Sequence, residues 1–174
     1  MESVKGNSKY RIIPYLRYII IGGCAVGAVF FILFVVRLVG FIVGSRSYSY
    51  VEQIMDYVDE VNLLVDTEEG LTFKGCENVE KKASDNVEAV KNLESKWKNL
   101  NFAARQLSDN QEDVCNSAVE YLEAVQSVAE KCAEENDTWD DSKDLPQLYE
   151  NYRDDVEKYE DEMNNYNKRF LLSL

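Results

Sequence analysis

The side chains that most often carry out chemistry in proteins are absent or poorly grouped in this sequence. It contains no histidine, which excludes histidine general bases, Ser-His and Cys-His nucleophile pairs and the Glu-x-x-His pattern of di-iron bundles. None of its four cysteines stands at zinc-binding spacing; they are Cys24, Cys76, Cys115 and Cys132. The carboxylates form no recognisable catalytic constellation. The sequence therefore predicts a non-enzymatic protein that uses no cofactor or catalytic metal.

One cluster of carboxylates precedes the last predicted helix: Asp137, Asp140, Asp141 and Asp144. Ca²⁺ prefers such oxygen ligands, but the spacing is not that of an EF-hand loop. Acidic residues also suit the start of a helix, and Pro146 stands where proline is tolerated in a first helical turn. The sequence favours an acidic loop before a helix and leaves calcium binding open.

A row of aromatic residues follows this loop and is the strongest candidate for an interaction surface. Its members recur at spacings of three and four, as on one face of a helix: Tyr149, Tyr152, Val156, Tyr159, Met163, Tyr166 and Phe170. Each buried tyrosine hydroxyl needs a partner or water. One interpretation packs the rings in a bundle with their hydroxyls emerging at its edge. The other makes the tyrosines, together with Trp139, an interaction seam for another protein, because aromatic residues are enriched in interfaces.

The element that positions everything else is the apolar stretch at 18–44. Ile19 to Val36 contains no charged residue, and the stretch continues after Arg37. About 20 apolar residues in a helix cross a hydrocarbon core of about 30 Å. The stretch is too long for the apolar region of a cleaved signal peptide. We therefore predict an uncleaved signal anchor and a single transmembrane helix at 18–44.

The flanks of the stretch predict its orientation. Four basic residues precede it, namely Lys5, Lys9, Arg11 and Arg17. Because basic flanks stay in the cytoplasm, residues 1–17 are predicted to form a cytoplasmic leader and residues 45–174 an extracytoplasmic domain. Two Gly-x-x-x-Gly spacings, Gly23/Gly27 and Gly40/Gly44, would let another helix approach closely. They are candidates for a transmembrane helix contact and allow a homodimer through the span.

The charge balance limits the possible partners. The formal net charge is −13, and of the 32 acidic residues only Glu2 precedes the apolar stretch. Residues 45–174 are therefore strongly acidic. Nucleic-acid binding, which depends on clustered lysine and arginine, is excluded.

Residues 45–174 carry successive apolar stripes with helical spacing, which predict an all-α, antiparallel bundle of about four helices with coiled-coil-like packing. The first helix is predicted to start at a capping box, Ser49 to Glu52, and to end at Gly70. The second stripe runs from Cys76 to Leu107 and the third from Val114 to Cys132. The aromatic row belongs to the fourth helix.

The connection between the second and third helices is ambiguous. The apolar register continues past Ser108 without glycine or proline, so the chain either turns there or runs on as one helix. We favour a turn, because a hairpin gives each apolar stripe a partner within the chain. A turn at Ser108 would place Cys76 about 13 Å beyond the level of Cys132. Since a disulfide needs Cα atoms within about 7 Å, we expect free thiols.

These features together favour a membrane-anchored, non-enzymatic module that binds or scaffolds another membrane or surface protein. One alternative is an extracytoplasmic bundle that senses a small molecule bound between its helices. The other is an extended coiled-coil spacer, which follows if the chain does not turn at Ser108.

Overall fold

The computed structural model describes residues 12–66, 73–97, 105–135 and 144–171. Within these residues every secondary-structure element is a helix, which confirms the all-α prediction. The four helices are α1 (Ile12–Val65), α2 (Phe73–Trp97), α3 (Arg105–Glu135) and α4 (Leu145–Leu171). The chain divides into two compact units, Met1–Val39 and Gly40–Leu174.

In the first unit, α1 presents an exposed apolar surface. Its large side chains are exposed along the predicted span; Phe30, for example, is 68% exposed and Phe31 67%. An exposed apolar patch of this extent is unfavourable in water and marks a contact with a membrane or a partner. Within the described residues, α1 is the one helix long and apolar enough to cross a membrane.

In the second unit, the remainder of α1 packs with α2, α3 and α4 into a bundle. Each helix buries one stripe with spacings of three and four, as the sequence predicted. The buried members include Val51, Ile54, Val58 and Val61 of α1; Val79, Ala83, Val90 and Leu93 of α2; Val114, Ala118, Leu122 and Val125 of α3; and Tyr152, Val156, Tyr159 and Met163 of α4. This aliphatic and aromatic core supplies most of the stability of the bundle.

The first bundle helix does not start at Ser49, and this prediction is wrong. α1 continues without interruption from Ile12 to Val65, so the predicted anchor and the predicted first bundle helix are one element. Ser49 is exposed in mid-helix, and the Gln53 side-chain amide donates to its backbone carbonyl oxygen at 2.9 Å. A cap satisfies amides that have no intrahelical acceptor. The amides near Ser49 have such acceptors, because the preceding residues are already helical.

The turn between α2 and α3 does not lie at Ser108 either. α2 ends at Trp97 and α3 begins at Arg105, so the chain reverses between these two residues. Ser108 is buried within α3. The predicted hairpin is present: Cys76 near the start of α2 is bonded to Cys132 near the end of α3, whereas Lys91, further along α2, pairs with the earlier Glu123 of α3 at 2.7 Å. Only the position of the turn was wrong.

The displaced turn changes which cysteines meet. In an antiparallel hairpin, moving the turn by one residue shifts the register of the two helices by two residues. With the turn before Arg105, the Cα atoms of Cys76 and Cys132 lie 6.0 Å apart, and the two residues form a disulfide bond between α2 and α3. The expectation of free thiols is therefore wrong for this pair. Cys24 is exposed, and Cys115 lies in the core.

Candidate functional site

Three polar side chains meet in the core of the bundle, one each from α1, α3 and α4. Ser47 Oγ donates to Gln111 Oε1 at 2.8 Å, and the Tyr159 hydroxyl lies 2.7 Å from the same Oγ. Because Ser47 has one hydroxyl hydrogen and gives it to Gln111, Tyr159 donates to Ser47. All three residues are at most 1% exposed. We call this set the polar core cluster.

The polar core cluster is suited to positioning helices rather than to catalysis. Burial raises the pKa of the Tyr159 hydroxyl above its ordinary value, with the Ser47 hydrogen bond acting in the opposite direction. None of the three residues is a general base that would activate Ser47 as a nucleophile. Sequence reasoning missed Ser47 altogether, whereas Gln111 stands in the continuous apolar register that spans Leu107 and Val114. The place of Gln111 in this apolar register was the feature of the sequence that indicated its burial.

Further hydrogen bonds tie α1 to α2 and to α3. The Asn86 side-chain amide of α2 donates to the backbone carbonyl of Tyr57 at 2.7 Å. The Tyr121 hydroxyl of α3 donates to Asn62 Oδ1 at 2.5 Å, and burial raises the pKa of Tyr121 to about 12. Each bond satisfies a polar group that the packing removes from water, so α1 has a defined register against its neighbours.

The predicted interaction seam is largely buried within the chain. Tyr152, Tyr159 and Tyr166 are buried, whereas Tyr149 is half-buried; Trp139 lies outside the described residues. The rings pack in the bundle, as one interpretation expected, but the hydroxyls of Tyr159 and Tyr166 bond to α1 instead of emerging at the edge. Of the seam tyrosines, Tyr149 offers the most surface to a partner, and its part in an interaction remains a prediction.

The second glycine pair of the predicted helix contact, Gly40 and Gly44, is contacted by Tyr166 of the same chain. The Tyr166 hydroxyl donates to the Gly40 carbonyl oxygen at 2.9 Å. A Cβ atom added to Gly44 would lie 3.0 Å from Cε1 of Tyr166. The Tyr166 ring therefore packs where a side chain at Gly44 would otherwise stand. At Gly23 and Gly27 an added Cβ would meet nothing within 4 Å, and a contact with another chain there remains a prediction.

One surface feature of the bundle is an open groove between α1 and α4, with a volume of about 600 Å³. We call it the α1/α4 groove. It is lined by Met55, Asp59, Tyr149, Glu150, Tyr152, Arg153, Asp154, Val156, Glu157 and Glu160. Every charged residue in this lining except Arg153 is acidic. A second groove of about 560 Å³ shares Asp59 and Tyr149 with it and extends to Leu63, which is 69% exposed.

The Tyr152 hydroxyl distinguishes the α1/α4 groove from the rest of the bundle. The residue is only 4% exposed and lines the groove. Burial, followed by the negative charge of Asp59 and the neighbouring Tyr149, raises its pKa above the ordinary value. Unlike Tyr121, Tyr159 and Tyr166, it makes no hydrogen bond to any of the described residues. Its hydroxyl oxygen is not among the buried polar atoms that lack a partner, so it faces the open groove and can bond to water or to a ligand there.

The acidic side chains of the α1/α4 groove also lack ion-pair partners within the described residues. Elsewhere on the bundle, lysines pair with acids: Lys82 lies 2.7 Å from Glu60 and Lys91 lies 2.7 Å from Glu123. The Lys82 hydrogen bond lowers the pKa of Glu60. Among the groove acids, Asp154 lies near enough to Lys158 for their charges to interact, but none forms an ion pair within the described residues. With five acidic residues and Arg153 in its lining, the groove carries a net negative charge.

The structure brings together no metal-binding set among the described residues, since they contain no group of three His, Cys, Asp or Glu side chains with suitable geometry. Of the aspartates considered for calcium, Asp137, Asp140 and Asp141 lie outside the described residues, and Asp144 is exposed just before α4. Calcium binding at this loop remains open.

Comparisons of the sequence with protein-family models, with curated proteins and with solved structures give no match.

Proposed function

We propose that this protein is a single-pass membrane protein whose helical bundle lies outside the cytoplasm and binds another protein without catalysing a reaction. The observation that carries the binding role is the α1/α4 groove, an open and acidic surface with the unpaired Tyr152 hydroxyl in its wall. The bundle acts as an interaction module, and α1 holds it at the membrane.

The apolar part of α1 supports membrane anchoring. Its side chains from Ile21 to Val36 are exposed to the surroundings of the protein, and burying them in lipid removes the unfavourable contact with water. The basic residues before this segment support an N-terminus in the cytoplasm. The Cys76–Cys132 disulfide supports the same orientation, because disulfides persist mainly in oxidising compartments outside the cytoplasm.

Several features favour protein binding over the other candidate functions. The hydroxyls of Ser47 and Tyr159 in the polar core cluster are engaged with each other and with Gln111, so they are not available to a small molecule. The α1/α4 groove is open and elongated, which suits a polypeptide segment better than an enclosed ligand. The α2–α3 hairpin gives these helices partners within the chain and argues against an extended spacer.

The test is site-specific photo-crosslinking with the full-length protein in its native membrane. A photoreactive residue in place of Glu157, in the α1/α4 groove, is expected to give a discrete crosslinked adduct. The matched control replaces Glu130, which is exposed on α3 away from the groove, and is expected to give none. The proposal fails if neither position crosslinks, or if both give the same set of products.

A further inference from the structure

We infer that the α1/α4 groove recognises an arginine-bearing amphipathic helix of the partner protein. This inference rests on the proposed function and specifies the chemistry of its partner. It follows from three properties of the groove: its net negative charge, the position of the Tyr152 hydroxyl and the apolar surface that continues from it.

The charge of the groove selects a cationic segment. Glu150, Asp154 and Glu157 recur at spacings of four and three along α4, so their carboxylates stand on one face and repel one another. Asp59 adds negative charge from α1. Apart from Arg153, the lining supplies no cation. A basic segment entering the groove removes this repulsion and forms charge-assisted hydrogen bonds that the free protein lacks.

The Tyr152 hydroxyl selects arginine over lysine. A guanidinium group has five N–H donors in a planar fork, so it can donate to the Tyr152 oxygen and to a neighbouring carboxylate at the same time. Its flat face also stacks on an aromatic ring such as the half-buried Tyr149. The lysine ammonium is a compact point charge and satisfies fewer of these groups together.

The apolar surface selects a helix over a free cation. Met55 and Val156 line the groove beside the charged residues. The adjoining groove adds Leu63, Val65 and Leu145. The α4 residues that line the two grooves extend from Leu145 to Glu160, which corresponds to about 22 Å of helix. This length accommodates about four turns of a partner helix. Arginines on one side of such a helix would meet the carboxylates while leucines on the adjacent side cover the apolar surface.

The test uses the full-length protein in non-ionic detergent micelles and a fluorescein-labelled synthetic helix of 15 residues. The peptide carries arginines on one face and leucines on the adjacent face. Fluorescence anisotropy is expected to show saturable binding. Replacing the arginines by citrulline, which keeps the shape and removes the charge, should abolish binding, and replacing them by lysine should weaken it about tenfold.

Protein variants locate the binding site. Tyr152→Phe and Asp59→Asn are each expected to weaken binding of the arginine peptide about tenfold. The control is Asp113→Asn, which lines a groove between α3 and α4 and does not line the α1/α4 groove, and it should change binding less than twofold. Circular dichroism of each variant verifies its fold. Because no described residue bonds to the Tyr152 hydroxyl, Tyr152→Phe is expected to fold normally.

Three results would overturn the inference: equal weakening by the control and groove variants, unchanged binding by both groove variants, or equal affinity for the lysine and arginine peptides. Its failure is distinguishable from that of the proposed function. A crosslink at Glu157 in the native membrane without arginine-peptide binding would refute the partner chemistry alone. Loss of the position-specific crosslink would refute the proposed function.

Discussion

The hydroxyl oxygens of Ser47 and Tyr159, 112 positions apart in the sequence, lie 2.7 Å from each other in the core of the bundle. Ser47 also donates to Gln111, so α1, α3 and α4 are joined through one serine. In a core that excludes water, each of these groups would be costly without its partner. The polar core cluster therefore favours one register of the three helices over alternatives that pack equally well.

Ser47→Ala is expected to lower the free energy of unfolding by about 1–3 kcal/mol, because it leaves buried polar atoms of Gln111 and Tyr159 without a partner. Chemical denaturation of the full-length protein in detergent, followed by circular dichroism, measures the change. The control Ser49→Ala alters an exposed serine two residues further along α1 and should stay within about 0.5 kcal/mol of the parent. Equal effects at both positions would contradict this role for the cluster.

Two tyrosine substitutions compare the contribution to stability of a hydrogen-bonded hydroxyl with that of a hydroxyl without a partner among the described residues. Tyr159→Phe removes the bond to Ser47 and is expected to destabilise the protein by about 0.5–1.5 kcal/mol. Tyr152→Phe removes a hydroxyl that bonds to no described residue, so stability should be unchanged or slightly higher. The same denaturation experiment compares the two variants. Greater destabilisation by Tyr152→Phe would show that its hydroxyl has a structural partner.

Reduction of the Cys76–Cys132 disulfide is expected to destabilise the bundle. The bond joins residues 56 positions apart, and the chain-entropy model gives about 4 kcal/mol for a loop of this length. Thermal melting with and without reductant should show a lower midpoint after reduction. Cys76→Ser should melt at this lower midpoint and no longer respond to reductant, whereas Cys24→Ser should behave as the parent does. An unchanged midpoint on reduction would restore the expectation drawn from the sequence.

Gly44→Leu tests the packing of Tyr166 against α1. A side chain at this position collides with the tyrosine ring, so the ring must move and its bond to Gly40 is lost. We expect a destabilisation of about 1–3 kcal/mol, typical of overpacking. Gly27→Leu is the matched control, because an added side chain there meets open space. If both variants unfold at the same denaturant concentration as the parent, the Tyr166 contact does not contribute to stability.

The proposed orientation predicts which cysteine variants a membrane-impermeant maleimide reaches on intact cells. A cysteine replacing Ser127, an exposed residue of α3, should be labelled without permeabilisation. A cysteine replacing Ser8 in the basic leader should be labelled only after the membrane is opened. The reverse pattern would place the bundle in the cytoplasm.

The local features of this protein could be predicted because they depend on residues close together in the sequence. The apolar run at 18–44, in which Arg37 is the one charged residue, is enough to indicate an exposed apolar helix. The spacing of Val51, Ile54 and Val58 is enough to indicate which side of α1 is buried, since a helix repeats every 3.6 residues whatever surrounds it. The same reasoning predicted the buried face of α4.

Helix boundaries were less predictable, because the same short pattern fits a cap and a helix interior. Ser49 with Glu52, and Ser108 with Gln111, both have the spacing of a capping box. In the structure Ser49 is exposed in mid-helix, whereas Ser108 and Gln111 are buried in α3. Which outcome applies depends on whether the residues before the serine are helical.

By itself, then, the sequence determined the helical class, the apolar span and the face that each helix buries. Only the tertiary structure decided the pairing of Cys76 with Cys132, the partners of the tyrosine hydroxyls and the position of the α1/α4 groove. These depend on the register between helices. When the connection between two antiparallel helices moves by a few residues along the chain, their register shifts by twice that number. Because the apolar stripes repeat every three or four residues, several registers bury them almost equally well. The choice among them is made by polar contacts between residues far apart in the sequence.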